Sequence, residues 1–216
     1  MRSTLKLGSR APQLPRHESV WSATATMPVH SSLRDDVHAD VAIVGGGIAG
    51  LTTAYLLAQA GKSVVLLDDG ELAGGMTQVT TAHLTNALDD RYFEIERMHG
   101  KEGARLTADS HTAAIDMIEE ITRKENIDCD FERVHGYLFL APGQEPRILD
   151  RELEAAHEAG LQGVTRLERA PLEPFDTGPC LRFPNQAQFH PIKYLAALAK
   201  AIKRARFLGL LPYVLK

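Results

Sequence analysis

Three glycines and one acid in this sequence are spaced to hold a pyrophosphate and a sugar. Gly45-Gly46-Gly47-Ile48-Ala49-Gly50 satisfies G-x-G-x-x-G. It stands directly after the apolar run Val41-Ala42-Ile43-Val44 and before Leu51 to Ala60, which reads as a buried helix. Gly45 permits a tight turn. Gly47 lets the backbone approach a pyrophosphate with no Cβ in the way, and Gly50 lets helix and strand pack closely. The helix N-terminus then offers unbonded N–H groups and the positive end of its dipole to phosphates. Asp68 closes a second apolar run, Ser63-Val64-Val65-Leu66-Leu67. A carboxylate there accepts hydrogen bonds from ribose hydroxyls and repels a 2′-phosphate, which disfavours NADP.

Alone, G-x-G-x-x-G is a weak signal, and its context is what strengthens it. A βαβ unit needs about thirty residues, and Asp40 to Asp68 supplies one. The short runs are apolar throughout, as buried parallel strands are. Ala54 keeps the helix slim, and Gly61 stops it. The loop that follows is rich in glycine and hydroxyls: Gly74-Gly75-Met76-Thr77-Gln78-Val79-Thr80-Thr81.

Other elements follow from periodicity. Residues 90–99 and about 101–126 read as helices, the second with an apolar stripe through Leu106, Ala113, Met117, Ile118 and Ile121. Residues 129–134 and 137–141 read as a β-hairpin turning at His135-Gly136. Residues 145–159 read as a charged helix whose Glu152–Glu158 acids form a solvated face. Short strands are expected at 164–167, 181–183 and 188–190. Pro191 suits the first turn of a last helix running to about Arg204. Residues 1–38 read as an irregular arm with Trp21 as an anchor. The expected division is arm 1–38, nucleotide-binding segment 39–90, partial substrate or cap domain 91–190, and helix plus tail 191–216.

The G-x-G-x-x-G-x-x-x-A-x-x-x-x-x-x-G spacing from Gly45 resembles the FAD-binding amino-terminus of the glycine/D-amino-acid-oxidase-like oxidoreductases. Glu18-Ser19-Val20-Trp21, Thr80-Thr81-Ala82, residues 127–133 and residues 183–191 are similar to a subgroup that often carries a C-terminal Rieske iron–sulfur domain. The likeness covers roughly Glu18 to Ile202. It implies an α/β chain with a Rossmann-like FAD-binding βαβ unit and a parallel sheet, plus part of an α+β substrate domain. It implies FAD as cofactor, held by Gly45, Gly46, Gly47, Ile48, Ala49, Gly50 and Asp68. The second loop would add Gly74, Gly75, Met76, Thr77, Thr80 and Thr81. That loop also disfavours an NAD-dependent enzyme. The implied reaction is hydride transfer from an amine, amino acid or similar small substrate to the flavin, which carries the redox chemistry itself. The competing reading is an FAD- or nucleotide-binding remnant without catalysis. No catalytic residue is named. His83 follows the second loop and His190 precedes the last helix, but a surface or helix-capping role is the simpler reading of each. Tyr137 could line a pocket, and a packed strand aromatic is the simpler reading.

The paired C-x-H and C-x-x-H ligands of a Rieske cluster are absent, and no metal site is expected. The resemblance implies further strands after the last helix. The chain instead ends in Phe207-Leu208-Gly209-Leu210-Leu211-Pro212-Tyr213-Val214-Leu215-Lys216, which reads as a truncation. A parallel sheet short of strands leaves apolar faces and edges uncovered.

Composition excludes some partners. The net charge is -4, and residues 1–17 carry four basic residues and no acid, so the remainder holds 20 basic against 28 acidic residues. An acidic body argues against nucleic acid. The basic start suits a transit peptide or a plain extension. No run reaches the ~20 apolar residues of a membrane span. Cys129 and Cys180 leave a disulfide and two free thiols both open, and so few cysteines suit a reducing compartment, here the cytoplasm.

Overall fold

The computed structural model describes residues 18–30, 33, 35–173 and 175–205. The basic start and the tail from residue 206 lie outside them, as do the expectations attached to each. Strand β1 (Val41–Val44) pairs in parallel with β2 (Val64–Leu67), in the register Val41 to Val64 through Val44 to Leu67. Helix α2 (Ile48–Gln59) connects them. Asp40 fixes the register at its start. Its carboxylate accepts from the Ser63 amide at 2.8 Å and the Ser63 hydroxyl at 2.7 Å. Those bonds to the charged form hold its pKa below the ordinary carboxylate value. Gly61, at φ +77°, takes the left-handed turn that ends the helix.

The second sheet is antiparallel. Its central strand, β6 (Cys180–Gln188), pairs with β3 (His83–Leu84), β4 (Glu132–Phe139) and β5 (Thr165–Leu167). Helix α3 (Tyr92–Lys124) is interrupted at Gly100, where φ is +72°, so the two predicted helices meet at a kink. Helices α4 (Arg147–Glu158) and α5 (Pro191–Ala205) complete the order, with Pro191 at the first position of α5 as predicted.

Two apolar cores organise these elements. One gathers Leu51 and Tyr55 of α2, Leu66 of β2, Ile118 and Ile121 of α3, Cys129, and Tyr194, Leu195 and Leu198 of α5. Here α5 packs on α2, so a helix from the end of the chain covers the βαβ unit. The other gathers Tyr92, Ala104 and Ala108 of α3, Leu149 and Ala156 of α4, and Leu181 and Phe183 of β6. A polar network is buried beside it. Gln186 Oε1 accepts from Thr85 Oγ1 and the Asn86 amide, both at 2.7 Å, while its Nε2 donates to Asn86 Oδ1 at 2.8 Å and Pro184 O at 2.7 Å. Tyr92 Oη donates to Asn86 O at 2.7 Å.

Four expectations are corrected. Residues 132–139 form one strand, not a hairpin, because His135 sits in a register shift between Val134 and Gly136. The strands expected at 181–183 and 188–190 are one strand, β6, crossed by Pro184 and Asn185. Pro184 has no N–H to give a ladder, and it stands where neither β3, β4 nor β5 pairs. Glu152 is fully buried rather than solvated. The arm contains a short helix, α1 (Val20–Thr24), begun by a capping box in which Ser19 and Ser22 bond each other's backbone amides.

Cys129 and Cys180 are both buried free thiols. Burial raises both thiol pKa values, so they pack as small apolar groups.

Candidate functional site

The glycine turn closes at the C-terminal end of the parallel strands, the place where open α/β sheets bind ligands. Gly45 has φ +101° and donates its amide to Leu67 O at 2.7 Å, so the turn is fastened to the end of β2. A Cβ at Gly50 would stand 1.9 Å from Gly45 O, which is why only glycine lets α2 start against the turn. The helix opens on Gly47 with no side-chain cap. Its first-turn N–H groups therefore have no partner within the helix and are available to an anion.

Asp68 joins this turn directly. Its Oδ2 accepts from the Gly46 amide at 2.6 Å and its Oδ1 from the Gly70 amide at 3.0 Å. A carboxylate offers about four acceptor positions, so two remain for a sugar hydroxyl. The second loop faces the turn across a gap. Part of it, Met76–Val79, winds into a 3-10 turn. A Cβ on Gly47 would come within 3.1 Å of Thr77 Oγ1. Ala73 donates its amide to Gly46 O at 3.0 Å, tying the base of this loop to the turn.

Between them lies a cavity of 1240 Å³. Gly45, Gly46, Gly47, Ile48, Ala49, Gly50, Asp68, Gly74, Gly75, Met76 and Thr77 all line it. Thr80 and Thr81 are not in its wall. Thr80 Oγ1 accepts from the Ala82 amide and Thr81 O meets the His83 ring. Sequence reasoning missed Glu18, Ser22, Val44, Asp69, Glu71 and Gln78, which also line the cavity. Val44, Asp69, Glu71 and Gln78 adjoin the predicted segments, so their places were inferable. Nothing in the spacing announces Glu18 and Ser22, which arrive through α1. Among the described residues the wall holds four carboxylates, those of Glu18, Asp68, Asp69 and Glu71, and no lysine, arginine or histidine. Among the described residues, the groups of this wall that could meet an anion are backbone N–H groups and the positive end of the helix dipole.

The histidines fall outside the wall. His190 is buried and its Nδ1 accepts from the Lys193 amide at 3.3 Å, capping α5. Burial, then the nearby Lys193 charge, lowers its pKa. His83 is exposed at the start of β3. Tyr137 is half-buried in β4. Among the described residues no group of three or more His, Cys, Asp or Glu is placed to hold a metal ion. No helix among them is long and apolar enough to cross a membrane.

The cavity, the uncapped helix start and the free acceptor positions of Asp68 fit a dinucleotide, and comparison with known proteins agrees. YhfW of Bacillus subtilis (strain 168), named for a Rieske 2Fe-2S iron–sulfur group, is 36% identical over 185 residues, covering 86% of this chain and 36% of YhfW. Gamma-glutamylputrescine oxidoreductase of Escherichia coli (strain K12) is 32% identical over 110 residues, covering 51% of this chain and 25% of that protein. The fold matches L-amino acid deaminase from Proteus myxofaciens with a TM-score of 0.65 at 19% identity, covering 88% of this chain and 41% of that one. The chain thus spans well under half the length of each of these relatives. A model of the family described as FAD dependent oxidoreductase matches residues 40–208, and the chain belongs to that family.

Proposed function

We propose that this chain is the FAD-gripping portion of an oxidoreductase that takes a hydride from an amine, an amino acid or a similar small substrate. The observation that carries this reading is the 1240 Å³ cavity walled by Gly45–Gly50, Asp68 and Gly74–Thr77. In it the first turn of α2 would meet the pyrophosphate, Asp68 the ribose, and the second loop the far wall. Thr80 and Thr81 belong to the reading as residues that shape that loop from behind. Bound flavin supplies the hydride acceptor, and the protein's part is to bind and orient it. The reading divides the chain into an arm to residue 38, an FAD segment 39–90, part of a substrate domain 91–190, and a helix and tail from 191. An amine or amino-acid substrate is supported by the names of the matched relatives, an oxidoreductase of gamma-glutamylputrescine and an L-amino acid deaminase.

A second reading has one observation in its favour. Among the described residues the cavity wall carries no lysine, arginine or histidine, and its acids stand beside the glycine turn. On that reading the chain holds FAD and turns nothing over.

The visible spectrum of the purified chain tests both. A flavin band near ~450 nm that bleaches with an amine or amino acid supports the oxidoreductase, since the cofactor carries the colour. A band that no such substrate bleaches supports the second reading. A colourless chain that takes up no added FAD overturns both.

A further inference from the structure

The second loop is held from outside by a residue far away in sequence. Trp21 of α1 donates its indole N–H to Thr80 O at 2.8 Å, across 59 positions. Thr80 is the residue that ends the 3-10 turn Met76–Val79. Helix α1 packs on that turn and on α5. Its far end is fixed as well. Thr24 Oγ1 lies 2.9 Å from His190 Nε2 and donates to Val20 O at 2.5 Å. The His190 Nδ1 accepts from Lys193, so the proton sits on Nε2 and that nitrogen donates to Thr24. The Trp21 ring meets the His190 ring edge-on at 5.1 Å. Helix α1 is thereby fastened at two points, one on the cofactor loop and one on the helix that packs behind α2. The same placement brings Glu18 and Ser22 into the cavity wall.

We infer that α1 is a clamp on the second loop, and that Trp21 is a positioning residue for FAD, acting through the Thr80 carbonyl rather than by touching the cofactor. The inference rests on the FAD reading above. Apart from this bond, the loop is held by the packing of its 3-10 turn on α5, by the Ala82 amide on Thr80 Oγ1 and by bonds of its own. Gln78 donates its side-chain amide to Gly74 O, and its backbone amide reaches Gly75 O at 3.3 Å. Both are within the loop, so neither fixes the loop to the body of the protein. Trp21 does, and it holds the end of the loop opposite the Ala73 tie.

Two measurements on the full chain test this. Trp21→Phe keeps an aromatic ring and removes the N–H donor along with one ring of the indole. In the ligand-free chain, deuterium exchange of the peptide covering residues 74–81 should quicken in Trp21→Phe while exchange in α4 stays as in the wild type. FAD titration should show a dissociation constant raised on the order of fivefold, the range that loss of one hydrogen bond gives. Trp21→Ala should raise it further. Unchanged loop exchange in Trp21→Phe would overturn the clamp. Quickened exchange with unchanged FAD affinity would overturn the positioning role, leaving Trp21 a purely structural tie. If the wild-type chain takes up FAD and Trp21→Phe matches it in both measurements, this inference alone fails. If the wild type takes up none, the FAD reading fails, and the positioning role falls with it.

Discussion

The Gly46 amide and the Asp68 carboxylate meet at 2.6 Å, so the glycine turn after β1 and the acid after β2 form one unit. On the proposed reading, the acid that would meet the ribose is also the brace of the turn that would meet the pyrophosphate.

Replacing Asp68 should therefore cost more than one ligand contact. Asp68→Ala leaves the Gly46 amide without its acceptor and removes the ribose acceptor too. FAD affinity should fall tenfold or more, since each loss is worth about 1 kcal/mol or more. Asp68→Asn keeps one acceptor oxygen and should fall less. Titration of each variant with FAD, followed by flavin fluorescence, ranks them. Equal affinities for wild type and Asp68→Ala would refute the dual role.

Gly50→Ala places a methyl group 1.9 Å from the Gly45 carbonyl oxygen, and backbone cannot step aside as a side chain can. The turn or the start of α2 must shift. The variant should lose about 1–3 kcal/mol of stability, as overpacked sites do, and should fail to retain FAD. Urea unfolding and the visible spectrum give the two readouts.

Glu152 makes the pH profile diagnostic. Burial raises its pKa, with the Tyr92 and Phe93 amides and the Arg91 charge opposing. Its Oε2 accepts from the Phe93 amide at 3.4 Å, and its Oε1 is buried without a partner. Because folding raises this pKa, its contribution to stability is fully present below the ordinary value of 4.5 and is lost as the pH climbs through the folded-state value. Glu152→Gln cannot ionise. The melting temperature of Glu152→Gln minus that of the wild type should therefore grow between about pH 4 and pH 7. A difference that stays flat or shrinks over this span would contradict the assignment.

Gln186→Leu tests the polar network between β6, β3 and α3. The substitution strips the acceptor from Thr85 and Asn86 and the donor from Asn86 Oδ1 and Pro184 O. The two bonds to Asn86 are fully buried, and orphaned buried groups cost about 1–3 kcal/mol each, so a loss of about 2–6 kcal/mol is expected in chemical denaturation. FAD uptake by the folded variant should be near normal, because none of these groups lines the cavity.

The nucleotide half was legible because its chemistry demands fixed spacing. Gly45, Gly50, Asp68 and Gly61 each meet a local requirement, and local requirements are written in neighbouring residues. The second sheet was legible only in part: the strand expected at 164–167 is β5, but the continuity of β4 and β6 was hidden, for a reason seen at His135-Gly136 and Pro184-Asn185. These pairs look like turns, yet they lie within two long strands, where His135 stands opposite Pro184 and Asn185 in one register shift. Each strand tolerates its break because the other is broken at the same place. Only the pairing reveals that. Glu152 was misread on charge, although its spacing from Leu149 and Ala156 places it on the buried stripe of α4. Its partners, the first amides of α3, lie some 60 positions upstream. Glu18 and Ser22 carried no spacing signal, since they reach the cavity only through the seating of α1 on Thr80 and His190.

Strand β1 has a consequence for motion. The amides of Val41 and Gly45 point to β2. By the alternation of a parallel ladder, those of Ala42 and Val44 point the other way. Among the described residues no strand stands on that flank, and Val44 is 86% exposed. The stiffness of the glycine turn is thus supplied from one side only, by β2, Asp68 and α2. A swing of β1 away from β2 would carry the turn with it and, on the proposed reading, open the pyrophosphate seat. Occupancy of that seat and order in β1 should rise and fall together.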